Sequence, residues 1–229
     1  MDGVVVVTPS QIKNFLNVTN NVELVTNYPI LDSIDLNLKS VNSKESKQAC
    51  FAGGVTKQWN HHIILESFDD LSEITYKLAG PTSINYLNKL KNSENWRLVN
   101  YLGFINKEQV EELYNESICG LALLDYDTQV GRHGTLGNTK LFEYMKYGLP
   151  FICSDLELWV DIIDKHKCGI YVNPRDPKEI SKAIDYLTKN PQKAIKMGEN
   201  GKKAFIEEYN WDTQLPNLLN VYNKVADNK

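Results

Sequence analysis

Short apolar runs alternate with helical patterns along most of this 229-residue chain, and that alternation constrains the fold more than any other feature. Residues 4–7, 22–25, 49–52, 74–79, 98–102, 119–124, 150–153 and 169–172 read as strands. Between them, 63–71, 83–91, 108–116, 140–147 and 157–167 carry helical periodicity. A strand, a helix and a strand in succession predict crossover connections and therefore parallel pairing. The strands are almost continuously apolar rather than alternating, which a sheet covered on both faces requires. From residue 178 the pattern is helical throughout, over 178–189, 191–209 and 213–225. The expected fold class is α/β: a Rossmann-like parallel sheet with helices on both faces and an all-helical tail.

Residues 37–47 are rich in Asn, Ser and Lys and read as a linker. The 1–36 segment before it has two strands and one short helix, too little to bury a core of its own. It reads as the remnant of a preceding domain, leaving 48–229 as the main domain. The net charge of −4, without a basic patch, argues against a nucleic-acid partner. Cys50, Cys119, Cys153 and Cys168 each lie in or beside an apolar run and form no Cys-x-x-Cys pair. They are expected to be reduced core residues of a cytosolic protein. No apolar run is long enough to span a bilayer, and no signal-peptide pattern appears. His61, His62, His133 and His166 lack ligand spacing with cysteine or carboxylates, so no metal is expected. His61-His62 reads as a solvated helix start.

Three stretches bear on chemistry. Phe51-Ala52-Gly53-Gly54 is a strand running into a glycine turn, which serves either as an ordinary turn or as a close backbone approach to a phosphate. Val99-Asn100-Tyr101-Leu102-Gly103-Phe104-Ile105 is a second such strand end, again an ordinary connection or a ligand edge at the carboxyl end of a parallel strand. The third is Asn138-Thr139-Lys140-Leu141-Phe142-Glu143-Tyr144-Met145, with Asn138 as N-cap and Gly148 as stop. At 100° per residue Leu141, Tyr144 and Met145 share a face, while Thr139, Lys140 and Glu143 point away. A helix start with Lys140 beside it suits a diphosphate, and Glu143 suits two ribose hydroxyls. Helix geometry alone favours a plainer alternative, an exposed Lys140–Glu143 pair worth a few tenths of a kcal/mol.

In this order and spacing, the stretches resemble the donor-binding C-terminal domain of the retaining GT-B glycosyltransferases of family four. Lys140-Leu141-Phe142-Glu143-Tyr144-Met145 with Gly148-Leu149-Pro150 and Ile152-Cys153-Ser154-Asp155 matches that family's K-L/M-F-E-Y-M-x-x-G-L/I-P-V-I-A-S-D stretch. Leu158-Trp159, Cys168-Gly169-Ile170, Asn173-Pro174, Asp176-Pro177, Met197-Gly198 and Tyr209-Asn210-Trp211 resemble its tail, and Gln58-Trp59 resembles a subgroup with Trp in that loop. The likeness runs from Ala49 onward. Asp2–Pro9 and Val22–Pro29 resemble the last strand–helix–strand of the family's N-terminal, acceptor-binding domain.

The resemblance implies the C-terminal half of a GT-B fold and transfer of a sugar, with retention, from a UDP-linked donor to a glycan or lipid-linked acceptor. It implies Lys140 and Glu143 as catalytic residues. The nucleotide sugar would be met by Gly53, Gly54, Gly103, Phe104, Ile105, Asn138, Thr139, Lys140, Leu141 and Glu143, with no metal. Its other implied partner is an acceptor domain or subunit. It places the complete enzyme in the cytoplasm, with peripheral association at the inner membrane face in view. Without an opposite wall, the chain alone is expected to bind donor but transfer no sugar. Leu215, Leu218, Leu219, Val221 and Tyr222 of the last helix would then be partly exposed or buried in self-association. Two departures stand out. Thr135 occupies the place of a second glutamate that contacts the sugar in many members. Gly54 and Trp59 occupy the places of an arginine and a lysine, leaving Lys140, Lys57, Arg132 or His133 to supply the positive charge. A sugar-nucleotide epimerase half and a non-catalytic nucleotide-binding module are the competing readings. No G-x-G-x-x-G follows the first strand of the main domain, which disfavours an oxidoreductase.

Overall fold

A computed structural model of the chain describes residues 1–32, 47–71 and 73–226. Eight strands form in the places the apolar runs predict. β1 (Val4–Val6) and β2 (Val22–Leu24) pair in parallel as a small two-stranded sheet. β3 (Gln48–Ala52), β4 (Thr75–Ala79), β5 (Val99–Gly103), β6 (Cys119–Ala122), β7 (Phe151–Ser154) and β8 (Gly169–Val172) form a second sheet. Its order is β5-β4-β3-β6-β7-β8, parallel at every pairing. The chain steps outward from β3 to β5, then returns beside β3 and steps outward the other way. That reversal between β3 and β6 opens a crevice at the carboxyl ends of the strands.

The helices are α1 (His61–Glu66), α2 (Ile84–Lys91), α3 (Lys107–Asn115), α4 (Lys140–Lys146), α5 (Glu157–His166), α6 (Pro177–Lys189), α7 (Pro191–Glu207) and α8 (Leu215–Ala226). The expected helix at 63–71 is instead α1 followed by a 3₁₀ turn over Ser67–Asp70. Alternate strand residues feed two cores. Cys50, Ala52, Ala122 and Cys153 pack with α3, α4, α5 and α7, whereas Ala49, Phe51, Leu121 and Ile152 pack with α1, α2 and α6. Both faces of the central strands β3, β6 and β7 are therefore apolar, which explains their continuous runs in the sequence. All four cysteines are buried free thiols.

The expected linker at 37–47 lies, up to residue 46, outside the described residues. The small sheet is covered by α8 rather than by a core of its own. Thr26 N–H donates to Gln214 Oε1 at 2.9 Å, Asn217 Nδ2 to the Leu24 carbonyl at 3.1 Å, and Lys224 pairs with Glu23 at 2.8 Å. Leu215, Leu219 and Tyr222 are exposed, as expected, but Val221 is buried. The reason is local: Val221 packs where Gly3 and Asn21 leave room beside β1 and β2. No helix among the described residues is long and apolar enough to cross a membrane.

Candidate functional site

The carboxyl ends of β3, β4 and β5 and one side of α4 enclose a cleft of about 500 Å³. Ala52-Gly53, Ala79-Gly80-Pro81 and Phe104-Ile105 form one wall, with Tyr114, Glu143, Lys146 and Tyr147 facing them. Pro29, Ile30 and Asp32, leaving the small sheet, cross its mouth. The glycines let the strand ends approach each other. Gly80 has φ +128°, and a Cβ there would lie 1.7 Å from the Gly53 carbonyl oxygen. Gly53 N–H donates to the Ala79 carbonyl at 3.0 Å, and Gly80 N–H to the Gly103 carbonyl at 2.6 Å. These bonds tie three strand ends into one rim.

α4 is buried on nearly every side because it lies between the sheet and α7. Leu141, Phe142, Tyr144 and Met145 are fully buried. The Tyr144 hydroxyl donates to the Leu121 carbonyl at 3.1 Å, and its ring occupies the space that a side chain on Gly120 would fill. Such all-round burial fixes the helix firmly, and with it the one acidic group it turns to the cleft.

That group is Glu143, whose side chain keeps 31% of its exposure. Its Oε1 accepts a hydrogen bond from Thr139 Oγ1 at 2.8 Å. Its Oε2 accepts from Lys140 Nζ at 2.8 Å and from the Tyr114 hydroxyl at 3.1 Å. Burial pushes the Glu143 pKa up, but the Lys140 charge and bond, then Thr139 and Tyr114, outweigh it and hold the carboxyl below its ordinary value. Glu143 is therefore an ionised acceptor. Lys140 itself does not line the cleft, but its ammonium lies just behind Gly53, 3.3 Å from where a Cβ on that residue would stand and 5.6 Å from the Phe51 ring centre.

The family model for "Glycosyl transferases group 1" matches residues 34–204. The chain belongs to that family. It is 23% identical over 191 residues to spore coat protein SA of Bacillus subtilis, covering 78% of this chain and 49% of that protein. It is 28% identical over 126 residues to an uncharacterized glycosyltransferase of Methanocaldococcus jannaschii, covering 55% of this chain and 30% of the relative. The chain thus spans about half or less of the length of these curated relatives. Among solved structures, it superposes on Staphylococcus aureus TarM, a mutant crystallised with fondaparinux, α-GlcNAc-glycerol and UDP. The TM-score is 0.77 at 16% identity, over 97% of this chain and 44% of that one. Sucrose-phosphate synthase of Thermosynechococcus elongatus gives 0.75 at 15% identity, over 100% and 59%. Anabaena HepE, crystallised with UDP and glucose, gives 0.74 at 12% identity, over 97% and 63%. At these identities the likeness concerns the fold: a parallel sheet between helices with a helical C-terminal stretch, as in GT-B glycosyltransferases.

Within this group 1 glycosyltransferase chain, Gly53, Phe104, Ile105 and Glu143 line the cleft. Phe104 is 83% exposed, and Gly103 closes β5 behind it. Gly54 follows Gly53 at the strand end, with its backbone open on the side a Cβ would occupy. Thr139, not Asn138, is the N-cap residue of α4. Asn138 instead turns its Oδ1 to the Lys140 N–H at 3.1 Å. The Leu141 side chain belongs to the core, which leaves only its backbone near the helix start.

The plainer alternative that helix geometry alone favours, an exposed Lys140–Glu143 surface pair, does not hold. The two do pair, but Lys140 is only 8% exposed, because α4 runs under the strand ends rather than over the surface. His61 is corrected as well, being fully buried rather than solvated. Its Nδ1 lies 3.0 Å from the Tyr76 hydroxyl, and burial, then His62, lowers its pKa to about 3.

Among the described residues the cations that line the cleft are Lys107 and Lys146, and none of Lys57, Arg132 and His133 does so. Arg132 stacks on Tyr126 at 4.0 Å, His133 pairs with Glu157 at 2.9 Å, and Lys57 borders a separate polar depression with Asp125 and Arg175. Thr135 Oγ1 accepts from Gly137 N–H at 2.9 Å within its own loop. Sequence reasoning missed Gly80, Tyr114, Lys146 and Asp32. Gly80-Pro81 ends a strand just as Gly53 does and could have been found by that pattern. Tyr114 gives no such signal, since its hydroxyl reaches Glu143 only through the fold.

Proposed function

We propose that this cleft binds the nucleotide part of a sugar-nucleotide donor, UDP-linked, for a retaining hexosyl transfer to a glycan or lipid-linked acceptor. Glu143 accepts hydrogen bonds from the ribose hydroxyls. Lys140, with the backbone at Gly53, Gly54 and the start of α4, faces the diphosphate, and Phe104 and Ile105 flank the base. Arg132 and His133 are set aside because they turn to other partners, and Lys57 because it borders a separate depression. The acceptor would bind opposite, on the side of the small sheet. The observation that carries this reading is an ionised carboxylate, held by three donors, on the wall of a cleft at the carboxyl edge of a group 1 glycosyltransferase sheet. UDP in complexes of fold neighbours supports the choice of nucleotide.

The test is UDP affinity by titration calorimetry. A hydrogen bond to a charged group is worth roughly 1.5–3 kcal/mol, so removing the carboxylate should weaken binding about 10- to 100-fold. Glu143→Ala would also leave the Lys140 ammonium buried without its partner, which destabilises. Glu143→Gln keeps an acceptor for Lys140 and is the cleaner variant. If a folded Glu143→Gln protein binds UDP as tightly as the parent, the reading fails.

A further inference from the structure

We infer that Tyr114 is a positioning residue for Glu143: it holds the carboxylate in place while Lys140 turns from Glu143 to the bound nucleotide. This rests on the assignment of Glu143 to the ribose. A carboxylate offers about four lone-pair positions. In the ligand-free arrangement Thr139, Lys140 and Tyr114 take three of them. About one remains, and two ribose hydroxyls need two. One donor must let go.

The structure distinguishes the three. Thr139 is the N-cap residue one turn before Glu143, so its short side chain offers its hydroxyl from the same element and its bond does not tie the carboxylate to another part of the fold. Tyr114 is fully buried on α3, its ring edge-on to Tyr144 at 5.2 Å and to Tyr147 at 5.4 Å. Burial, then the charge of Glu143, raises its pKa far enough that it remains a donor. A packed ring of this kind has no second place to put its hydroxyl. Lys140 is the mobile one, with four rotatable carbons and an ammonium already beside Gly53, where an anionic diphosphate would supply a new partner. After that exchange the Glu143 carboxylate is held by one bond from α4 and one from α3. The bond from α3 alone fixes it against a different element of the fold.

The experiment compares the dissociation constants of UDP and 2′,3′-dideoxy-UDP for the parent, Tyr114→Phe and Tyr144→Phe. The ratio of the two constants isolates the ribose hydroxyls, and a general loss of packing would lower both affinities without changing it. The parent should prefer UDP by about tenfold or more. Tyr114→Phe should shrink that preference by about three- to tenfold. It should also make UDP binding fail at a higher pH on acidification, because Glu143 loses one of the bonds that keep it ionised. Tyr144→Phe, which removes a buried hydroxyl that bonds Leu121 and not Glu143, should leave the ratio unchanged.

A parent ratio near one overturns the Glu143 assignment itself and the inference with it. A normal parent ratio with an unchanged Tyr114→Phe ratio overturns only the role of Tyr114, as does an equal loss in Tyr144→Phe. Should Tyr114→Phe fail to fold, 3-fluorotyrosine incorporated at position 114 makes the hydroxyl a stronger donor within nearly the same volume. The preference for UDP should then rise, and no change in it would refute the inference.

Discussion

The rim of the cleft depends on a backbone contact that tolerates no side chain, and Gly80→Ala tests it. The added Cβ would stand 1.7 Å from the Gly53 carbonyl oxygen and 2.7 Å from its carbon. Relief requires the Gly53 peptide to move by more than an ångström. Two hydrogen bonds hold the strand ends at this contact, Gly53 N–H to Ala79 and Gly80 N–H to Gly103, and the shift strains both. Losing or stretching both costs about 1 kcal/mol each. Residue 80 also sits at φ +128°, and a side chain in that conformation costs about 1–3 kcal/mol. Together the change should destabilise by about 3–5 kcal/mol, a large part of the 5–15 kcal/mol typical of a domain.

Gly103→Ala is the internal comparison. It shares the positive φ, at +64°, but meets nothing within 4 Å, so only the left-handed cost of about 1–2 kcal/mol applies. Urea denaturation of both variants should separate them by roughly 2 kcal/mol or more, from the difference of these terms. UDP affinity should fall with Gly80→Ala in whatever fraction stays folded, since the displaced peptide lines the cleft. Equal destabilisation by the two substitutions would refute the reasoning, because it would mean that the strand ends separate freely.

Three further outcomes are expected. Lys140→Met should weaken UDP binding at least about tenfold, while Lys57→Ala, Arg132→Ala and His133→Ala leave it within about twofold; calorimetry decides, and a larger loss at any of the latter three would move the phosphate contact away from the cleft floor. His61 titrates near 3 when folded against an ordinary 6.5, so the unfolded chain binds more protons between these values. The His61 contribution to stability is therefore complete above about pH 6.5 and declines as the pH falls towards 3. His61→Phe should reduce the slope of stability against pH in that window, as measured by urea unfolding at several pH values. Gln214→Ala would strand the buried Thr26 N–H, lowering stability by about 1–3 kcal/mol with no change in UDP affinity, as a thermal melt and a titration would show.

The fold was legible because its strands are buried on both faces. A residue such as Cys50 looks towards α3 and α4 while Phe51 looks towards α1 and α6, so both must be apolar and the runs stand out. The ends of elements were less legible. The segment at 63–71 has helical periodicity throughout, yet the chain tightens into a 3₁₀ turn at Ser67, whose hydroxyl donates to the Ile64 carbonyl at 2.7 Å. Local hydrogen bonding of this kind competes with helix continuation and leaves no mark on hydrophobic spacing.

At the site, spacing picked out Lys140 and Glu143 but misjudged their surroundings. Polar residues three apart on a helix usually face water, and nothing in 140–146 says that the strand ends and α3 close over that face. His61 was misread for the same reason: a histidine at a helix start reads as solvated until Phe51 and Tyr76 are seen to pack around it. What the sequence could not carry is the meeting of distant residues. Tyr114 and Glu143 are 29 positions apart, on helices joined through β6 and a long loop, and only the sheet order brings them together. That meeting adds a third donor to the bonds from Lys140 and Thr139 that hold Glu143 ionised. The identity of an acceptor can be read from a motif, but its readiness to accept is a property of the packed fold.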